Sequence, residues 1–268
     1  MNTNTLASHL TPLARAFLER LPEGPQPDRQ LHRAPDGRVV GNWFGLHLSS
    51  VFQPIVDGRD GTVVGHEAFL RSGTDGEGLS PWTLFSTAAD DARLVALDRL
   101  ARTVHLLNAL HTGCRRPLFL NVHGRLLAAV EGDHGRAFRR VVDALGAAPG
   151  DIVIETPVEA CAQPELLAFV LRNYRSNGFR VAVNVGSLTQ WQRLAGVVWA
   201  DYVKIDRRKS GHDDAAHLQW LALLRQNARL IVTHVEDAPH THLGERLLQQ
   251  GYAHGRPQPL PAATGPAD

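Results

Sequence analysis

Apolar residues recur along this chain at two different periods. Leu6, Leu10, Leu13, Phe17, Leu18 and Leu21 stand three and four apart, which predicts an amphipathic helix over about the first twenty residues. Thr11-Pro12 supplies a cap and a pre-set first turn for its stronger half. Such a stripe is expected to pack on its own domain, with a partner surface as the alternative. Residues 22–37, carrying PEGPQPD and APDG, read as a linker or loose arm, and residues 38–48 lead straight into a first strand. The pattern then changes to alternation. Residues 51–56 and 62–70 predict two strands joined by a tight turn at Asp57-Gly58 and Asp60-Gly61, a hairpin that ends in Glu67.

Further on, a Gly-rich loop over 72–79 precedes a helix that starts at Ser80-Pro81, and residues 94–110 predict a second helix with an apolar stripe. From Pro117 short apolar runs at 118–122, 152–155, 180–185, 202–205 and 230–235 alternate with helical stretches near 135–145, 164–177, 215–226 and 242–249. Strands and helices in alternation imply a mostly parallel sheet, and about eight such units imply an α/β barrel of the TIM-like (β/α)8 kind. The expected division is an N-terminal helix and linker over 1–45, a barrel over 46–262 and a tail over 263–268. In such a barrel chemistry sits at the C-terminal ends of the strands. The polar residues closing the predicted runs are Glu67, Asn121, Glu155, Asn184, Lys204 with Asp206, and Thr233 with Glu236. A single strand-end Asn or Glu is usually a loop hydrogen-bonder or helix cap. Six strands aiming polar groups at one rim is a different matter.

Composition narrows the function classes. The 268 residues carry a formal charge of +1, so no chain-wide basic field argues for nucleic acid or an anionic membrane surface. Cys114 and Cys161 form no CxxC pair and no zinc spacing. Without a signal-peptide pattern or an apolar run near the ~18 residues of a membrane span, the expectation is a soluble cytoplasmic protein. Basic charge is almost wholly arginine: Lys204 and Lys209 are the only lysines, which draws attention to Lys204.

The wording of the opening hairpin adds more. Gln53-Pro54-Ile55-Val56 followed by Gly65-x-Glu67-Ala68-Phe69-Leu70-Arg71 resembles the entry to the EAL domains that hydrolyse cyclic di-GMP, with Phe69 where that family has Leu. LFLNV at 118–122, IVIET at 152–156, ADYVKID at 200–206 and a closing RPQPLP are similar to further pieces in the family's order. The resemblance runs from about Val51 to Pro261. It implies metal ligands at Glu67, Asn121 and Glu155, a catalytic lysine at Lys204 that helps hold the attacking water, and dinucleotide contacts at Gln53, Phe69, Arg71 and Asp98.

The same resemblance exposes departures. Where the family has DDFGTG, with two aspartates holding two divalent cations, this chain reads Val183-Asn184-Val185-Gly186, and the first Glu of AEGVE is Thr233. The family's Gln-Gly-Tyr is met by Gln250-Gly251-Tyr252 or, in another register, by His254-Gly255. Hard divalent cations want anionic oxygens, which valine lacks and asparagine replaces with a neutral carbonyl. The implied reading is a degenerate member in cyclic di-GMP signalling, a receptor for the dinucleotide or a protein-interaction regulator, with no cofactor required. The alternative is an active phosphodiesterase that uses Mg2+ or Mn2+ and releases linear pGpG. Partners expected besides cyclic di-GMP are a protein or a second copy, met through the N-terminal helix or through residues 187–194, where Trp191 either fills core or anchors a contact. Neither nucleic acid nor membrane is expected as a partner.

Overall fold

The computed structural model describes residues 10–73, 80–86, 88–114, 117–129, 135–210, 214–224, 228–236 and 247–261. Helix α1 (Pro12–Glu19) is capped by Thr11, whose hydroxyl accepts from Ala14 N at 3.0 Å. The same hydroxyl donates to the Leu145 carbonyl, and Ala14 and Leu18 join the main core. The helix thus packs on its own domain. The part of the stripe before residue 10 lies outside the described residues.

Part of the stretch expected to be a loose arm, residues 31–33, instead adds to the sheet. β1 (Leu31–Arg33) pairs antiparallel with β2 (Val39–Trp43), which pairs with β3 (Leu46–Asp57). A two-residue turn at Phe44-Gly45 joins β2 to β3, with φ of 45° and 84° respectively. Positive φ at both positions is the geometry that matches strand twist in tight hairpins. Pairing across this ribbon is a tertiary gain that composition alone did not signal. Asn108 fastens the ribbon to the body, accepting from Val39 N at 2.9 Å and donating to Val39 O at 2.8 Å.

β4 (Val63–Ser72) completes the predicted hairpin, with Gln53 opposite Glu67. Helices α2 (Pro81–Ser86) and α3 (Asp91–His111) follow, the second capped by Asp90. Then come β5 (Leu118–Asn121), α4 (Leu126–Ala129), α5 (Arg136–Ala144), β6 (Ile152–Thr156), α6 (Pro164–Ser176) and β7 (Arg180–Val185). The chain continues through α7 (Leu188–Leu194), β8 (Tyr202–Asp206), α8 (Arg207–Ser210), α9 (Asp214–Leu223), β9 (Arg229–Thr233) and β10 (Leu247–Gln249). The helix expected over 242–249 is corrected at its end: 247–249 is a strand, held by parallel pairing to β9 and antiparallel pairing to β3. Residues 241–246 lie outside the described residues.

Strands β3 to β10 close into an eight-stranded barrel through the β3–β4 and β3–β10 pairings, with β3 antiparallel to both neighbours and β4 to β10 parallel. This is the TIM-like (β/α)8 arrangement with an N-terminal helical extension. Residues 187–194 are helix α7 and its cap Ser187, with Trp191 2 % exposed in the core, so that side chain fills space and is not a surface anchor. No helix among the described residues is long and apolar enough to cross a membrane.

Two buried layers matter for the site. Ile55, Phe119, Val153, Ala182, Tyr202, Ile231 and Leu248, one from each of seven strands, form an apolar plug inside the barrel. Residues of the opposite parity, such as Leu118, Leu120, Ile154, Val181, Val183 and Val203, pack outward under the helices.

Candidate functional site

Side chains alternate along a strand, so the residue two beyond each plug residue also faces inward, one layer nearer the rim. That parity places Asn121 above Phe119, Glu155 above Val153, Asn184 above Ala182, Lys204 above Tyr202, Thr233 above Ile231 and Gln250 above Leu248. On β3, which runs the other way, Gln53 precedes Ile55 and sits level with Glu67. The predicted rim therefore exists, and it is a single polar layer.

Its centre is Lys204, 2 % exposed. The ammonium donates to Glu67 Oε2 at 2.6 Å and to Glu155 Oε2 at 2.8 Å. Asn121 Nδ2 donates to Glu67 Oε1 at 2.8 Å, and Asn184 Nδ2 donates to Glu155 Oε1 at 2.7 Å. Gln250 Nε2 donates to Glu67 Oε2 at 2.8 Å and to Gln53 Oε1 at 3.2 Å, while Gln53 Nε2 donates to the Gly255 carbonyl at 3.0 Å. All four carboxylate oxygens have donors, which is what burying two acids requires.

One cation serves two acids, and the acids divide it unequally. Burial, with the Glu67 charge behind it, pushes Glu155 up to about 7 against the pull of Lys204. Glu67 is also penalised by burial, yet Lys204, Asn121 and Gln250 together hold it below the usual carboxylate range. Lys204 is raised: burial opposes its charge, and Glu155 and Glu67 outweigh the burial. The three groups titrate as a set that carries one net negative charge or, with Glu155 protonated, none.

Above this layer opens a cavity of about 400 Å3, walled by Phe69, Arg71, Thr233, His234, Glu236, Gly251, Tyr252 and Pro257, with Gln53, Glu67, Glu155, Asn184, Lys204 and Gln250 also in its lining. Phe69 is half-buried, and Arg71 is exposed with Nη1 donating to its neighbour's carbonyl, Leu70 O, at 3.0 Å. Two sequence expectations are corrected here. Asp98 does not reach the cavity wall: it is 2 % exposed on α3 and paired with Arg102 one turn along. Val183 does not face the site at all; it is fully buried in the outer layer, opposite Val203. Adjacent strand residues cannot both point inward, and Asn184 is the one that does. Asp206 is drawn down to about 2 by hydrogen bonds from Arg208 and stays outside the cavity wall.

The register left open near the end resolves to Gln250. Backbone bonds from Gln250 N to Val232 O at 2.9 Å and from Val235 N to Gln250 O at 3.1 Å extend the pairing of β10 with β9. A Cβ at Gly251 would lie 2.0 Å from Val235 O and 2.3 Å from Val235 N, so only glycine allows this approach. His234 and Tyr252 are wall residues that the strand-end argument did not single out, because both follow their strands on loops. His234, at φ 58°, is marked by an αL backbone that a β-pattern cannot reveal.

A family model described as EAL domain matches residues 45–257, most of the chain. The chain belongs to the EAL-domain family. Solved EAL structures share its fold at low identity. A standalone EAL protein from Vibrio cholerae O395, in a form bound to cyclic di-GMP, is 20% identical over 80% of this chain and 94% of its own, with a TM-score of 0.61. The EAL domain of Xanthomonas citri FimX, in complex with cyclic di-GMP, is 16% identical over 80% of this chain and 88% of its own, with a TM-score of 0.63. Klebsiella pneumoniae BlrP1, in a complex with manganese and cyclic di-GMP, is 19% identical over 90% of this chain and 60% of its own, with a TM-score of 0.65. The chain spans less than two thirds of the EAL enzyme Bd1971, 64% of its cAMP-bound form. No curated protein sequence matches the chain.

Members of the family thus include a manganese complex, and the donor set of this EAL domain can be tested against such ions. Divalent cations of this kind take several oxygens, mainly anionic. Here Asn121 and Asn184 turn their N–H groups toward the carboxylates, and an ammonium already bridges Glu67 and Glu155. Among the described residues no three His, Cys, Asp or Glu side chains converge as a metal site would need. The rim as built does not fit a pair of divalent cations.

Proposed function

We propose that this EAL-domain protein acts in cyclic di-GMP signalling as a receptor that holds the dinucleotide without efficient hydrolysis and passes occupancy to a protein partner. The single observation carrying the reading is the polar layer in which Lys204 bridges Glu67 and Glu155 beneath an open cavity. A two-metal hydrolysis needs bridging carboxylates to hold cations ~3.5–4 Å apart and ionise a water. Two acids committed to an internal ammonium, with Asn184 and Thr233 at the neighbouring inward positions, offer too little anionic charge for that. Binding is less demanding. Arg71 presents a guanidinium suited to a phosphate, and Phe69 presents an apolar ring on which a base can stack. Gln250 Oε1 is buried without a hydrogen-bond partner among the described residues, so an acceptor waits at the cavity floor for an N–H or a water. The complexes of FimX and of the V. cholerae protein with cyclic di-GMP support the choice of ligand.

The test is calorimetric titration with cyclic di-GMP, with magnesium and again with chelator, while product is followed by chromatography. Micromolar or tighter binding without product, weakened at least tenfold by Arg71→Ala, is the expected result. Linear pGpG formed only with metal would overturn the proposal in favour of a working phosphodiesterase. Absence of binding under both conditions would remove the receptor role and leave a protein-interaction platform.

A further inference from the structure

The cavity wall holds a histidine whose ring is anchored on one side and open on the other. We propose that His234 is a specificity-determining contact of this site: in the neutral ring, Nε2 accepts a hydrogen bond from an N–H or O–H donor of the bound nucleotide. The inference rests on the receptor reading and adds to it the chemistry that one wall of the cavity selects.

Counting protons fixes the tautomer. His234 Nδ1 lies 3.1 Å from Thr233 Oγ1 and 3.5 Å from Asp206 Oδ2. The Thr233 hydroxyl has one proton, which it donates to the Ile205 carbonyl at 3.3 Å. Asp206, whose carboxylate is held by Arg208, offers only lone pairs. Both neighbours of Nδ1 therefore need a donor, so Nδ1 carries the hydrogen and the neutral ring leaves Nε2 bare. Nε2 has no hydrogen-bond partner among the described residues. Asp206 stands outside the cavity wall while His234 lines it with a side chain 53 % exposed, so the ring reaches from its anchor to the opening.

The backbone is the second support. His234 sits at φ 58°, in the left-handed region that glycine enters freely and a residue with a Cβ does not. The family motif AEGVE, set against residues 232–236, has glycine at this position. Histidine there carries a conformational cost that glycine avoids, and such costs persist where a side chain is used at a site. The third support is the company the ring keeps. Gln250 Oε1 is a second acceptor in the same cavity without a partner among the described residues, while Arg71 supplies cationic N–H groups. A bare ring nitrogen offers nothing to a phosphate oxygen. The group it selects is a donor, either a base N–H or a ribose 2′-hydroxyl.

Calorimetric titration at pH 8 in chelator, with cyclic di-GMP and with its 2′-deoxy analogue, tests the idea. His234→Gly suits the backbone and removes the ring, so its urea unfolding midpoint should equal or exceed that of wild type. Its affinity for cyclic di-GMP should nevertheless fall about fivefold or more, the worth of one hydrogen bond. Thr233→Val removes the oxygen that accepts from Nδ1. It should weaken binding in the wild-type background and leave the affinity of His234→Gly unchanged, because Thr233 acts through the ring. If the donor is the ribose hydroxyl, wild type prefers cyclic di-GMP to the deoxy analogue and His234→Gly loses that preference. If it is a base N–H, His234→Gly weakens both ligands alike. Affinity of His234→Gly for cyclic di-GMP within about twofold of wild type would overturn the inference and leave the receptor reading intact, as would a Thr233→Val loss that persists in His234→Gly. A wild-type protein that binds neither ligand would remove the receptor reading and this contact with it.

Discussion

Replacing Glu155 by glutamine isolates the cost of burying two acids around one ammonium. The folded protein holds Glu155 at about 7, whereas an unfolded glutamate titrates near ~4.3. Between those values the folded state binds the extra proton, so stability from this group is full below the unfolded value and is lost as pH rises through 7. Integrated from pH 5.5 to pH 8, the loss is about 2 kcal/mol. Other groups act over the same interval. His105, fully buried beside Ser50, is pushed down to about 3 by desolvation, so its contribution has the opposite sign and grows as pH rises toward 6.5. Comparing variant with wild type cancels it. A glutamine side chain mimics the protonated acid, so the assay is urea unfolding of both proteins at pH 5.5 and pH 8, with the difference in unfolding free energy read at each. Glu155→Gln should gain about 2 kcal/mol on wild type between the two pH values, whatever its absolute stability. Parallel profiles, with the difference changing by less than about 0.5 kcal/mol, would show that Glu155 does not change ionisation in that window and would refute the unequal sharing of Lys204.

The parity and packing of the strands make three more outcomes measurable. Asn184→Asp adds a third inward carboxylate beside Glu155 and should make thermal stability rise with added Mn2+, whereas Val183→Asp buries a carboxylate among apolar side chains and should cost about 4 kcal/mol by denaturant unfolding, with no response to metal. Gly251→Ala should cost about 3 kcal/mol because its Cβ would collide with the Val235 backbone, and it should weaken cyclic di-GMP binding along with stability by displacing Gln250. Trp191→Ala should lower unfolding free energy by about 4 kcal/mol through the cavity it leaves, and a stable Trp191→Ala protein that had lost only a partner contact would show the core assignment to be mistaken.

Much of the barrel was legible because its strands are short, apolar and separated by helical stretches, and because each inward polar residue follows an inward apolar one by two: Phe119 and Asn121, Val153 and Glu155, Tyr202 and Lys204. What escaped was stabilised by strand pairing that the segments' own patterns do not announce. β1 and β2 exist by pairing back onto the extended start of β3, and three-residue β10, Leu-Leu-Gln, is a strand only because β9 and β3 flank it. The resemblance implied that Asp98 lines the cleft, but an arginine four residues on gives an acid on a helix a nearer partner.

The same parity rule sharpens the comparison with the family. The resemblance places an aspartate pair over Val183 and Asn184, and a count of lost carboxylates treats both positions alike. In this barrel only Asn184 faces the ammonium, and a charge at 183 would meet the helix layer. The electrostatic departure at that strand therefore reduces to one inward residue, an amide in place of an acid. Asn184 donates to Glu155 Oε1 and to the Thr156 carbonyl, and an aspartate there could donate to neither. With an acid at 184, Glu155 would lose a donor and gain a like charge, and Lys204 alone could not hold three carboxylates. Asparagine at 184 and lysine as the central charge are thus mutually dependent, and restoring a metal site by substitution requires the charge at 184 to change while 183 stays apolar.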